Sequence, residues 1–109
     1  MLIVKKFKFD AAHNLIFYKG KCEKLHGHTY EVVVVVKGIP NEEGMVIDFV
    51  ELKEIVKEEV INILDHSYIN DIIPQPTAEN IAVWIWNKLE SKLRRNNCHL
   101  YEVQVWETS

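Results

Sequence analysis

The sequence lacks an apolar run long enough to cross a membrane, lacks anything resembling a signal peptide, and lacks a cluster of basic residues. The first two absences lead us to expect a cytoplasmic protein without a membrane partner. The third, with a formal net charge of -3, argues against nucleic acid, whose phosphates are held by lysine and arginine. Repeats, linkers and low-complexity segments are also missing, so residues 1–109 are expected to form one domain. Only two cysteines occur, Cys22 and Cys98, far apart in the chain. In an intracellular protein they are expected as free thiols, with Cys98 a bystander in a loop. A domain of this size buries a modest core but is small for an enzyme that must enclose a substrate alone.

What is present is concentrated in Cys22-Glu23-Lys24-Leu25-His26-Gly27-His28, which runs through Thr29-Tyr30-Glu31 into the unbroken run Val32 to Val36. A β-branched run reads as a buried strand, and on a strand residues two apart share a face, so His26 and His28 point the same way. An earlier stretch places Ile3, Phe7, Phe9, Ala11 and His13 on odd positions against Lys6, Lys8 and Asp10, the period of a half-buried strand. If the two strands pair antiparallel, His13 closes a triangle with His26 and His28. Three neutral imidazoles and one open position form the ligand set zinc uses for chemistry. Cys22 lies in the loop entering the strand, between Asn14 and Leu25, close enough to be acidified by such a cation without ligating it.

The valines of the second strand fall on both of its faces, so both require cover: helices on one, a neighbouring subunit's sheet or a closed barrel's interior on the other. After the turn at Gly38-Ile39-Pro40-Asn41, Met45 to Ile47 reads as a short extended piece. Asp48-x-x-Glu51 opens a helix with Leu52, Ile55, Val56, Val60, Ile63 and Leu64 on one stripe, ending near Asp65-His66. A second helix is capped by Thr77 and is apolar almost all round from Ile81 to Trp86, so its first half is expected to be buried on more than one side. The final strand, Leu100 to Thr108, alternates Tyr101, Val103 and Val105 on one face, with Glu107 continuing the row. A carboxylate at the end of an apolar row needs a partner.

Several motifs occur in one order: Phe9-Asp10-Ala11-Ala12-His13, Cys22-x-x-x-His26-Gly27-His28, Asp48-Phe49, Leu64-Asp65-His66, Pro76-Thr77-Ala78-Glu79-Asn80 and Trp106-Glu107-Thr108. Together they resemble the 6-pyruvoyl-tetrahydropterin and 6-carboxy-tetrahydropterin synthase family over nearly the whole chain. The resemblance implies an α+β tunnelling fold, an antiparallel sheet with two helices on one side, assembled as a homo-oligomeric barrel, a trimer or a hexamer of two stacked trimers. It implies a phosphorylated pterin, 7,8-dihydroneopterin triphosphate, as substrate, and Zn2+ on His13, His26 and His28. Cys22 is then the proton acceptor, Asp65 and His66 a proton shuttle supplied by a neighbouring subunit, and Glu107 both pterin anchor and aid to the relay. Thr77 and Glu79 resemble the family's Thr-x-Glu near the pterin. The three residues between Cys22 and His26 are similar to those of the carboxy synthases of the queuosine (7-deazaguanine) pathway, which release acetaldehyde and triphosphate. The pyruvoyl synthases usually have more residues there, and a 6-pyruvoyl product or a non-catalytic pterin- or purine-binding module are the alternatives. Family chains usually continue about a strand's length beyond the Trp-Glu-Thr segment, where this sequence has only Ser109.

Overall fold

The computed structural model describes residues 1–14 and 26–108, with His26 described by its backbone alone. Cys22 and the loop expected around it lie outside the described residues. Three strands, β1 (Leu2–His13), β2 (His26–Gly38) and β3 (Cys98–Thr108), form an antiparallel sheet in the order β1-β2-β3. Helix α1 (Phe49–Val56) continues through a π-helical turn, Lys57–Ile61, into Asn62–Leu64. Helix α2 (Ala78–Leu89) follows a 3-10 turn at Ile69–Asp71. No helix among the described residues is long and apolar enough to cross a membrane.

Strand alternation sets the layers. Phe7, Phe9, Ala11 and His13 of β1 are buried, as are Tyr30, Val32, Val34 and Val36 of β2, and both rows face Leu52, Val56, Val60, Leu64, Ile81, Ile85 and Leu89 of the helices. Each large aliphatic side chain so buried contributes about 1.5–3 kcal/mol from burial. On the opposite face Val33 and Val35 are also buried, although they lie outside that core cluster. Their register neighbours are Lys6 and Gln104, and Val4 and Glu102, whose stems can cover them. Leu2, Val4 and Trp106 remain exposed on this outer face.

Both expected caps are formed. Asp48 accepts a hydrogen bond from the Val50 amide at 2.9 Å, and Thr77 accepts one from the Asn80 amide at 3.1 Å. Four local expectations are corrected. Met45 to Ile47 is not a strand: the Asn41 side chain accepts from the Glu43 and Met45 amides, and Gly44 at φ 82 completes a turn that tucks Val46 and Ile47 into the core. Ile63 is exposed and Ile61 buried, because the wider π turn delays the helical phase by about one residue. Tyr101 is exposed and Leu100 buried, because a bulge pairs Val36 with Leu100 but Val35 with Glu102. Cys98 is the buried first residue of β3 and not a loop residue; burial pushes its thiol pKa up. On α2, moreover, Ile81, Ile85 and Leu89 form one buried stripe, while Val83 is 58% exposed and Trp84 and Trp86 are half-buried, so within this chain the helix is covered on one side.

Candidate metal centre and active site

The strand registers bring four side chains to one end of the core face. His13 stands opposite His26, Ala11 opposite His28, and Tyr30 opposite Glu107. Because β2 alternates, His28 and Tyr30 belong to the row that continues into Val32 and Val34. The rings of His13 and His28 are stacked at 5.1 Å between centroids, and His13 is almost wholly buried. Oε1 of Glu107 lies 3.5 Å from Nε2 of His13 and 3.5 Å from Nε2 of His28.

Those distances suit a metal. Bonds of about 2.0–2.1 Å to zinc in a tetrahedron place ligand atoms about 3.3–3.4 Å apart. The ligand atoms of His13, His28 and Glu107 all fall within 4.8 Å of one another. The donor set of imidazole and carboxylate therefore fits a divalent cation, and the structure adds Glu107 to a group that sequence spacing had built from histidines alone. His26, the third expected ligand, is in register with His13 at the backbone.

Tyr30 ties this group together and was missed as a site residue. Its hydroxyl donates to Oε1 of Glu107 at 3.0 Å and is hydrogen-bonded to Nδ1 of His13. Burial, and then the adjacent Glu107 carboxylate, push its pKa far above the ordinary phenol range, so it remains a hydroxyl. The signal was available: Tyr30 is two residues beyond His28 on the same strand.

Asp65 and His66 meet at a second place, beside β1. The His66 amide donates to the Asp10 carbonyl at 2.6 Å, the Ala12 amide to the Ser67 carbonyl at 3.0 Å, and Ala12 bridges to Tyr68, so this segment is laced to the β1 edge. Nδ1 of His66 is 3.1 Å from Oδ2 of Asp65, and the Asp10 carboxylate belongs to the same cluster. Asp65 in turn accepts from the Asp10 amide at 3.0 Å, and Asp10 accepts from the Thr29 hydroxyl at 2.6 Å. The Asp10 amide, with the charge of His66 as a lesser cause, lowers the pKa of the Asp65 carboxyl. Asp10 and Thr29 sit on strand positions that alternate with Ala11, His13 and His28, so this cluster is anchored to the outward rows of the sheet. An open cleft of about 500 Å³ is lined by Asp10, Ala12, Thr29, His28, His66 and Ser67, among others.

Thr77 caps α2, and Glu79 is exposed in its first turn. Neither belongs to the described groups around His13 or His66.

Residues 2–109 match the family model described as 6-pyruvoyl tetrahydropterin synthase. The chain is 43% identical to 6-carboxy-5,6,7,8-tetrahydropterin synthase of Synechocystis sp., over 98% of this chain and 86% of that one. It is 39% identical to dihydroneopterin monophosphate aldolase of Pyrococcus furiosus, over 96% of this chain and 88% of the relative. Among solved structures, 6-pyruvoyl tetrahydropterin synthase of Caenorhabditis elegans superposes with a TM-score of 0.75 at 24% identity, covering 100% of this chain and 96% of that one, a likeness of fold.

Proposed function

The chain belongs to the 6-pyruvoyl tetrahydropterin synthase family, and we propose that it converts 7,8-dihydroneopterin triphosphate to 6-carboxy-5,6,7,8-tetrahydropterin, releasing acetaldehyde and triphosphate, as a lyase of the queuosine (7-deazaguanine) pathway in the cytoplasm. The observation that carries this reading is the 43% identity, over nearly the whole chain, to a relative named for that product. The short Cys22 to His26 spacing supports the same choice.

His13 and His28, with His26 in register beside them, would hold the zinc, and the carboxylate of Glu107 borders the same space. When bound, zinc supplies Lewis-acid polarisation of the substrate's side-chain hydroxyls. Cys22 would accept the proton from the carbon that carries the side chain, and a cation held on the histidines would favour its thiolate. His66, held by Asp65, moves a proton between substrate oxygen and solvent. Glu107 anchors pterin N–H groups and also assists the relay, and it stands 3.5 Å from both imidazoles. Thr77 and Glu79, the pair that resembles the family's Thr-x-Glu, lie near the pterin, and Thr77 also caps α2. The working unit is a homo-oligomer, a trimer or hexamer with shared sites.

The Pyrococcus furiosus relative supports a second reading, aldol cleavage of a phosphorylated dihydroneopterin in the same site. Incubation with dihydroneopterin triphosphate and, separately, the monophosphate, followed by mass spectrometry of products, separates the readings. Acetaldehyde with 6-carboxy-tetrahydropterin from the triphosphate is expected. A 6-pyruvoyl product without acetaldehyde overturns it in favour of the pyruvoyl synthases, turnover confined to the monophosphate in favour of the aldolase, and tight pterin binding without turnover in favour of a binding module.

A further inference from the structure

We propose that Tyr30 is a positioning residue of the metal centre: its hydroxyl, held between His13 and Glu107, keeps His13 in the tautomer whose Nε2 presents a lone pair to the cation. The inference rests on the metal-centre reading above and concerns a residue that neither spacing nor motif had placed in the site.

The proton count of the three groups decides the arrangement. A hydroxyl has one proton to donate and lone pairs to accept with, an ionised carboxylate can only accept, and a neutral imidazole carries its proton on one nitrogen. Tyr30 faces Oε1 of Glu107 on one side and Nδ1 of His13 on the other. The carboxylate is the stronger acceptor, since its charge strengthens the bond it receives, so the tyrosine proton goes to Glu107. The remaining contact is then satisfied only if Nδ1 of His13 carries a proton and donates it to the tyrosine oxygen. With the proton on Nδ1, Nε2 is unprotonated and can turn its lone pair to a cation, and Nε2 is the atom that stands 3.5 Å from Glu107 in the cluster with His28. The opposite arrangement, tyrosine proton on Nδ1, would put a hydrogen on Nε2 and exclude it from a metal.

The tyrosine can impose this choice because it cannot move. It is fully buried, its ring stacks on Phe9 at 5.0 Å and 14°, and it meets the His28 ring nearly at right angles with 5.9 Å between centroids. Hydrogen bonds to the non-ligating nitrogen of a metal-bound histidine are the usual means by which ring orientation and basicity are fixed. Here the partner is a phenol, and it joins the ligand imidazole to the carboxylate that borders the same space.

The test is Tyr30→Phe, which keeps the ring and its stack on Phe9 while deleting the hydroxyl. Zinc affinity, measured by competition with a chromophoric chelator, is expected to fall about 10–100-fold, with the circular dichroism of the zinc-free protein unchanged. In zinc-free wild type, the imidazole 15N shifts of His13 are expected to report the Nδ1–H tautomer, and a mixture of tautomers in Tyr30→Phe. Wild-type zinc affinity in a folded Tyr30→Phe overturns the proposal and leaves the metal centre standing. Wild type that takes up no zinc overturns both. If the variant does not fold, the wild-type spectrum decides by itself: an Nε2–H tautomer at His13 overturns the proposal.

Discussion

Nδ1 of His66 stands 3.1 Å from Oδ2 of Asp65, the residue directly before it in the chain. Adjacent side chains seldom meet in this way, since an extended or helical backbone directs them apart. The contact is made where the backbone of His66 adopts φ 58, in the left-handed region that a residue other than glycine rarely occupies. The surroundings over-determine that turn: the His66 amide is held by Asp10, the Ser67 hydroxyl bonds the Leu64 carbonyl at 2.6 Å, and Asp65 accepts from the Asp10 amide. Strain that is held in place at a titratable pair is a reasonable mark of function.

Asp65→Asn separates charge from shape there, because an amide oxygen can still accept from Asp10. The folded pKa of Asp65 is lowered, so its stabilising contribution is present above the unfolded value of about 4 and is lost as pH falls through the folded value. The urea midpoint of Asp65→Asn is therefore expected below that of wild type at neutral pH, with the gap closing in acid as the wild-type carboxyl takes up its proton. A gap that stays constant down to acid pH would show that the carboxylate charge contributes nothing. Turnover at neutral pH is expected to drop roughly tenfold or more, since general acid–base groups contribute about 10²–10⁴-fold when fully formed.

Gly38 closes β2 against the start of β3, and here the absence of a side chain is required. A Cβ at this position would lie 2.2 Å from the Asn97 carbonyl oxygen and 2.6 Å from Cβ of Cys98, neither of which is the loose end of a flexible side chain. Asn97 cannot yield easily, since its side-chain amide donates to the carbonyls of Ile39 and Val46 at 2.9 Å each. Gly38→Ala is expected to destabilise the fold by about 1–3 kcal/mol, read as a fall in urea midpoint at an unchanged slope. Gly44→Ala makes a useful contrast, because nothing lies within 4 Å of its Cβ and only its φ of 82 opposes the change.

Alternation and capping made much of this fold legible in the sequence. Phe7, Phe9, Ala11 and His13 could be assigned to one face because a strand has a period of two whatever its neighbours do, and Asp48 and Thr77 cap locally. What escaped were phase changes. The π turn exchanges Ile63 for Ile61, and the bulge exchanges Tyr101 for Leu100, and neither is announced by a local residue pattern. The same limit applies to the site. His13 and His28 followed from spacing, but Glu107 reaches them through a cross-strand register with Tyr30, and Asp10 reaches Asp65 through backbone contacts. A polar residue within an apolar row, as Tyr30 is within β2, was the overlooked clue.

A complete site is expected to draw its residues from two chains. Asp65 and His66 are held at the β1 edge through Asp10, an outward position of the sheet, whereas His13, His28 and Glu107 gather on the core face. One chain thus presents two groups of titratable side chains anchored to different rows of the sheet, with His28 and His66 both lining the open cleft beside β1. It also leaves Leu2, Val4 and Trp106 exposed on the outer face of the sheet and Val83 exposed on α2, apolar surface that association would cover. If a neighbouring chain brings Asp65-His66 to the site of His13 and His28, and Cys22 serves that site from the same chain as the histidines, two inactive variants should complement each other. Cys22→Ala subunits would lend an intact His66, and His66→Ala subunits an intact Cys22. Refolded together in equal amounts, with random assortment in a closed ring, half of the pockets have an intact thiol and half of those receive an intact imidazole, so about one quarter of wild-type activity is expected. Mixed oligomers are verified by a tag on one variant. Should they form without any activity returning, Cys22 and His66 act from the same chain, and the shared-site arrangement fails even if the product assay succeeds.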